Sequence, residues 1–188
     1  MNNDFLAEEV RSRLKKSRAE HTFGVRDTAV ELAEKYGFDK NKAETAALLH
    51  DIAKYVDDET MLEFAHRNGI TDPVLLDKPN LMHGMIGAEI AEKEFGITDR
   101  EILSAIECHT FGKENMSMLD KIIYLSDIAE PGRTYFDGIK EIRDLMKNNI
   151  NEAMLAALKS SIRFILSSDK PLMIDTVRAY NSILKTIN

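Results

Sequence analysis

The sequence predicts an all-α fold, an orthogonal globule of crossed helices. Three observations carry that prediction. Apolar residues recur at helical spacing along nearly all of the 188 residues. No segment alternates apolar and polar with the β-branched enrichment of a strand. The four prolines and nine glycines fall almost entirely at inferred helix ends, so punctuation agrees with periodicity.

Each element follows from a stripe and a boundary. Phe5, Leu6, Val10 and Leu14 give a first amphipathic segment. Phe23, Val25, Ala29, Leu32 and Tyr36 give a second, which Gly37 closes. Asp39 caps a third through Ala43, Ala46, Ala47, Leu48 and Leu49. Asp57 or Asp58 opens a fourth, ending near Gly69. Asp72-Pro73 reads as an N-cap followed by proline at the first helical position. Asn80 or Leu81 starts a helix that runs to Phe95, with Gly96 past its end. Thr98 and Glu101 fit a capping box. Ser117 opens a helix that Pro131 stops. Segments 139–146, 151–166 and 171–187 complete the set. The stretches 111–116 and 131–138 read as working loops. The chain reads as one unit over residues 1–188, with a helical C-terminal portion from about residue 138.

Composition narrows the function. Net charge is −7, which argues against a nucleic-acid partner, although a local basic pocket remains open. One cysteine cannot form an internal disulfide or a thiolate cluster, which points to a reducing, cytoplasmic setting. No run approaches the ~18 apolar residues of a membrane span, and the polar N-terminus lacks a signal-peptide pattern.

The histidines carry the chemistry. His50-Asp51 directly follows an apolar helix, and buried charge there is costly unless paired or metal-bound. His21 lies on the preceding helix, one turn after Arg18. His83 opens a later helix, His109 ends the apolar run 102–108, and Asp127 sits inside another apolar helix. Each lies where apolar sequence turns polar. Imidazoles and carboxylates without thiolates suit Fe, Zn, Mn, Co or Ni. One aspartate could bridge two ions, and such a pair could turn water into hydroxide and clamp a phosphoryl group. His66 stands apart and reads as a solvated residue. Cys108 reads as an apolar filler.

The order His21, His50-Asp51, Asp127, with His83 and His109 between, resembles the HD-domain metal-dependent phosphohydrolases. Neighbouring words sharpen the likeness. Arg18-Ala19-Glu20-His21-Thr22-Phe23-Gly24, Leu49-His50-Asp51-Ile52-Ala53-Lys54, His83-Gly84-Met85-Ile86-Gly87, His109-Thr110-Phe111-Gly112 and Asp127-Ile128-Ala129-Glu130-Pro131-Gly132-Arg133 all resemble the YqeK family of symmetrical bis(5'-nucleosyl)-tetraphosphatases. Lys170-Pro171-Leu172 and the segment 176–181 resemble its final helix. Ser126, Met173 and Phe23 depart from the family's commoner residues without removing a ligand.

The resemblance implies an HD-domain helical bundle that cuts diadenosine tetraphosphate to two ADP, a hydrolase of phosphoric anhydrides. It implies one or two ions, with iron first among the candidates, and a homodimer. His21, His50, Asp51 and Asp127 would hold the first ion. His83 and His109 would hold a second with Asp51, or contact substrate phosphate. A metal-activated hydroxide would attack a phosphorus of the bridge. Arg18 and Arg133 are candidate phosphate forks, because guanidinium meets phosphate in two hydrogen bonds. Lys54 would act as a point charge, Thr110 as a hydroxyl donor, and Lys170 as a closure over the distal nucleotide. Glu130 could orient Arg133 or a ligand histidine. Two other functions fit the same residues: an HD hydrolase of another nucleotide or cyclic nucleotide, and a nucleotide-binding regulator.

Overall fold

Every regular element in the computed structural model, which describes residues 3–134 and 138–187, is helical. In chain order these are α1 (Asn3–Arg13), α2 (Lys16–Lys35), α3 (Lys40–Leu49), α4 (Asp58–Arg67) and α5 (Pro73–Asp77). A 3-10 turn (Pro79–Met82) leads into α6 (His83–Lys93). Then come α7 (Arg100–Cys108), α8 (Met118–Ala129), α9 (Ile139–Met146), α10 (Ile150–Ser167) and α11 (Ile174–Ile187).

Short polar side chains start many of these helices. Asp39 accepts from the N–H groups of Asn41 and Lys42, Asp57 from Thr60, and Asp72 from Val74 ahead of Pro73. Ser117 and Asp120 form a reciprocal capping box on α8. The proposed box at Thr98 is corrected: Asp99 caps α7, accepting from the Glu101 N–H. Two starts also move. Residues 79–82 wind as a 3-10 turn, so α6 begins at His83 and ends at Lys93 rather than Phe95. Residues 171–173 stay outside α11, which begins at Ile174, because the Met173 side chain is drawn inward and buried. The loop expected at 131–138 holds for the described part, and Tyr135, Phe136 and Asp137 lie outside the described residues.

Glycine placement needs a second correction. Gly24 and Gly87 lie inside helices, and Gly84 in the first turn of α6. They serve close approach. A Cβ on Gly84 would meet the Glu107 carbonyl oxygen at 2.7 Å, so α6 crosses the end of α7 there only without one.

Two apolar clusters result. The larger joins α2, α3, α7, α8 and α10 around Leu48, Leu49, Ile106, Ile122, Ile123 and Met154. Each such buried side chain contributes about 1.5–3 kcal/mol relative to exposure. The smaller gathers Met61, Phe64 and Leu75 from α4 and α5 with Ala53, Met82, Phe111 and Met173. Ile52 belongs to the first cluster and Ala53 to the second, so Asp51 stands at their junction. Met82 and Phe111 likewise flank His83 and His109. The polar centre lies on this seam.

Candidate active site

Helix ends deliver most of the site. Past Leu49 the backbone tightens into successive i to i+3 turns, with Ile52 N–H donating to Leu49 O and Lys54 N–H to Asp51 O. That distortion lets the adjacent residues His50 and Asp51 serve one centre, although neighbours on a regular helix face apart. His109 follows the last residue of α7, and His83 is the first of α6. Helix ends leave carbonyls without intrahelical donors. The Nδ1–H of His50 donates to Ala47 O, that of His83 to Asn80 O, and that of His109 to Ile106 O, each at 2.7 Å. A carbonyl only accepts, so each Nδ1 carries the proton and each Nε2 turns a lone pair toward the centre.

Asp51 divides the lone pairs into two sets. Its Oδ1 lies 3.1 Å from His83 Nε2 and 3.8 Å from His109 Nε2. Its Oδ2 lies 3.4 Å from His50 Nε2 and 4.0 Å from His21 Nε2. Asp127 Oδ1 joins the second set, 2.9 Å from His21 Nε2 and 4.0 Å from His50 Nε2. Within each of the groups His21–His50–Asp51 and Asp51–His83–His109, the ligand atoms lie within 4.8 Å of one another. Asp51 is 2% exposed.

This arrangement asks for positive charge. The Nε2 atoms of His21 and His50 are buried without a hydrogen-bond partner. His83 Nε2 and His109 Nε2 face each other at 3.1 Å, two acceptors with no proton to share. Lys54 relieves one of them, its ammonium lying 3.1 Å from His83 Nε2. Burial works against charge on Asp51, yet the groups around it, His50 foremost, prevail and hold its carboxyl below the usual range. Burial likewise opposes charge on Asp127, but His21, His50 and Arg133 around it prevail and hold its carboxyl below the usual range. Burial, then His83 and His50 nearby, push His109 down to about 3, so it is a neutral ligand-type imidazole at pH 7. Burial also disfavours charge on His50, but Asp51 outweighs it and raises its proton affinity. Nitrogen and carboxylate donors in this geometry can hold a divalent metal.

The profile of the HD domain matches residues 18–132. A symmetrical bis(5'-nucleosyl)-tetraphosphatase of Bacillus subtilis (strain 168) is 38% identical over 96% of this chain and 97% of its own length. The one from Staphylococcus aureus (strain NCTC 8325 / PS 47) is 32% identical over 95% of this chain and 89% of its own. The chain belongs to this HD-domain family. The fold agrees: the crystal structure of an HD superfamily hydrolase from Clostridium acetobutylicum matches with a TM-score of 0.92 and 36% identity, covering 99% of this chain and 98% of the other.

Around the His50-Asp51 doublet that names the HD domain lie the expected cations. Arg18 Nη1 donates to Asp51 Oδ2 at 2.9 Å, and Lys54 stands 3.6 Å from Oδ1. Arg133 grips Asp127 twice, Nη2 to Oδ1 at 2.9 Å and Nε to the backbone oxygen at 3.1 Å. Beside His109 opens a cavity of about 330 Å³, lined by Thr110, Phe111, Tyr124, Met173 and Thr176, with Lys78 and Lys170 among its walls. Lys170 lies 5.0 Å above the Phe164 ring, which holds it at that cavity. His66 is exposed and away from the centre, and Cys108 is buried with its thiol raised by burial. The sequence reading missed Arg143. From α9 it donates to the carbonyls of Ala129, Glu130 and Arg133, clamping the turn that carries Arg133. Nothing in its local sequence separates it from a surface arginine.

Proposed function

We propose that the protein hydrolyses dinucleoside tetraphosphates symmetrically, diadenosine tetraphosphate giving two ADP. One observation carries the reading: a single buried carboxylate, Asp51, is shared by two pairs of bare imidazole nitrogens beside a cavity of about 330 Å³, within the range of small-ligand pockets. The curated relatives' activity and near full-length similarity support the same conclusion.

His21, His50, Asp51 and Asp127 would hold one divalent ion, and Asp51, His83 and His109 a second. Nitrogen and oxygen donors without thiolate suit Fe, Zn, Mn, Co or Ni, and we favour iron on the resemblance to the YqeK family. The metal would supply Lewis acidity toward water and toward phosphoryl oxygens. The protein's own groups set the rest. Neutral His109 keeps its one proton on Nδ1, bonded to Ile106 O, so its Nε2 binds and does not act as an acid. None is required of it: a phosphate's second pKa is about 6, so the leaving diphosphate departs as an anion. Arg18 and Arg133 neutralise Asp51 and Asp127 in the resting site, and a guanidinium carries five N–H donors, leaving others for phosphate. Lys54 adds a point charge, and the Thr110 hydroxyl a donor. Phe111, Tyr124 and Met173 would enclose one nucleoside, with Lys170 closing over it. Such placement would put the middle of the tetraphosphate, not its end, over Asp51.

Among the described residues no helix is long and apolar enough to cross a membrane, and we place the enzyme in the cytoplasm. We also propose a homodimer. In the C-terminal portion Met146, Met154 and Met173 are buried within the chain. Phe164, Leu166, Ile174 and Ile187 are the large apolar residues exposed there. Light scattering on the purified protein tests that assembly.

The reaction is tested in ¹⁸O water with diadenosine tetraphosphate and added metal. The expected product is ADP alone, half of it carrying one ¹⁸O on the terminal phosphate. ATP with AMP would sink the symmetrical reading. Tight nucleotide binding without turnover would favour the regulator instead.

A further inference from the structure

We infer that Glu130 is the positioning residue of His21, doing through a carboxylate what helix-end carbonyls do for the other three histidines. His50, His83 and His109 each donate to a carbonyl three residues back, at a place where a helix ends or begins. His21 cannot. It lies inside the twenty-residue α2, where carbonyls are already engaged in the helix ladder. Its Nδ1 instead meets Glu130 Oε1 at 3.1 Å, across the gap between α2 and the end of α8. A carboxylate only accepts, so Nδ1 carries the proton and bare Nε2 turns toward Asp127 and Asp51.

The surroundings are built for this contact. The other oxygen of Glu130 accepts the Gly132 N–H, which fixes the carboxylate plane. Arg143 holds the Glu130 carbonyl at 2.6 Å. Gly24 lies one helical turn after His21, on the same face. A Cβ there would stand 2.6 Å from Glu130 Oε2, and one on Gly132 2.9 Å from it. Glycine is unfavourable in the middle of a long helix, and this contact explains its presence. Glu130 is 5% exposed, so the carboxylate is desolvated and committed. A carboxylate partner also makes an imidazole a stronger donor to a cation than a carbonyl partner does. His21 is thereby matched to its task although it is the one histidine of the four without a helix-end carbonyl.

The proposal rests on the metal reading above, and the test separates the two. Demetallated wild-type protein, Glu130→Gln, Glu130→Ala and Gly24→Ala are titrated with Mn²⁺ by calorimetry. Glu130→Gln preserves shape, so it remains informative if the alanine variant folds poorly. All three variants are expected to bind Mn²⁺ about 10–100-fold more weakly. The Mn²⁺ concentration for half-maximal activity should rise by the same factor, with KM for diadenosine tetraphosphate unchanged at saturating metal. Unchanged Mn²⁺ affinity in Glu130→Gln, with or without a lower melting temperature of the metal-free protein, overturns the proposal. So does a raised KM with normal affinity, which would assign Glu130 to substrate through Arg133. Wild-type protein that binds no Mn²⁺ would sink the metal reading, and this proposal with it.

Discussion

At the scale of single residues, Asp51 is the side chain on which both halves of the site depend. Its two oxygens face different histidine pairs, and Arg18 and Lys54 balance its charge. Asparagine fills the same space but offers one acceptor and an NH₂ in place of the second. One histidine pair would then face a donor where a cation belongs. Asp51→Asn should therefore fold and bind little metal. Its turnover should fall by more than about 10²-fold, beyond the upper figure for losing an outer partner of a ligand. Metal analysis of the purified variant and a steady-state assay check this. A variant that keeps its metal and its rate would remove Asp51 from the centre.

At the scale of elements, caps and stripes are legible in the sequence because they are local. Asp39, Asp57, Asp72 and Ser117 each cap as their spacing says, and 139–146 is a helix with those bounds. Asp99 displaces Thr98 because either residue could cap the same run and only the backbone decides. The site was legible differently. Residue types and order pointed to a metal centre, but the meeting of His83 and His109 at Asp51 is a long-range fact that spacing cannot give. It came from the family resemblance. Arg143 and the Asp120 network stayed hidden for the same reason. Buried Asp120 receives the Ser104 hydroxyl at 2.6 Å, the Ser117 N–H at 2.7 Å and the Lys113 ammonium at 3.0 Å. It thus ties α7, α8 and the loop that follows His109. Burial opposes its charge, but those bonds prevail and hold its carboxyl below the usual range. Asp120→Asn removes the ion pair of Lys113 and leaves it the Ser104 hydroxyl as partner. Because Lys113 is partly exposed, the cost should be about 2–3 kcal/mol, under the 3–5 of a fully buried pair. The sign with pH follows. A depressed folded-state pKa contributes stability above the unfolded value of about 3.9 and loses it as pH falls through the folded value. Urea unfolding should therefore show the gap between wild type and Asp120→Asn full at pH 7 and closing below about pH 4. A gap independent of pH would mean the carboxylate's charge is not what stabilises.

At the scale of the molecule, the centre is a seam. Its candidate ligands come from α2, the turn after α3, the start of α6, the end of α7, and α8, between the two apolar clusters. The acidic exterior of net charge −7 does not decide what binds here, because Arg18, Lys54, Arg133 and a metal set the local sign. A cation at the seam would bind only the folded chain, since the donors are scattered over more than a hundred residues of sequence. It should therefore raise stability by mass action, by about 2.7 kcal/mol at a free concentration one hundred times its Kd. For a chain of this size, 1 kcal/mol moves Tm by about 2–4 °C. Chelation should thus lower Tm by roughly 5–10 °C relative to protein held in that excess of Mn²⁺, at constant pH and ionic strength. The shift should disappear in Asp51→Asn, whose metal-free form keeps the same two clusters. Equal Tm with and without Mn²⁺ in the wild type would mean that the facing imidazoles are held by packing alone. The seam would then be a property of the helices rather than of the ion.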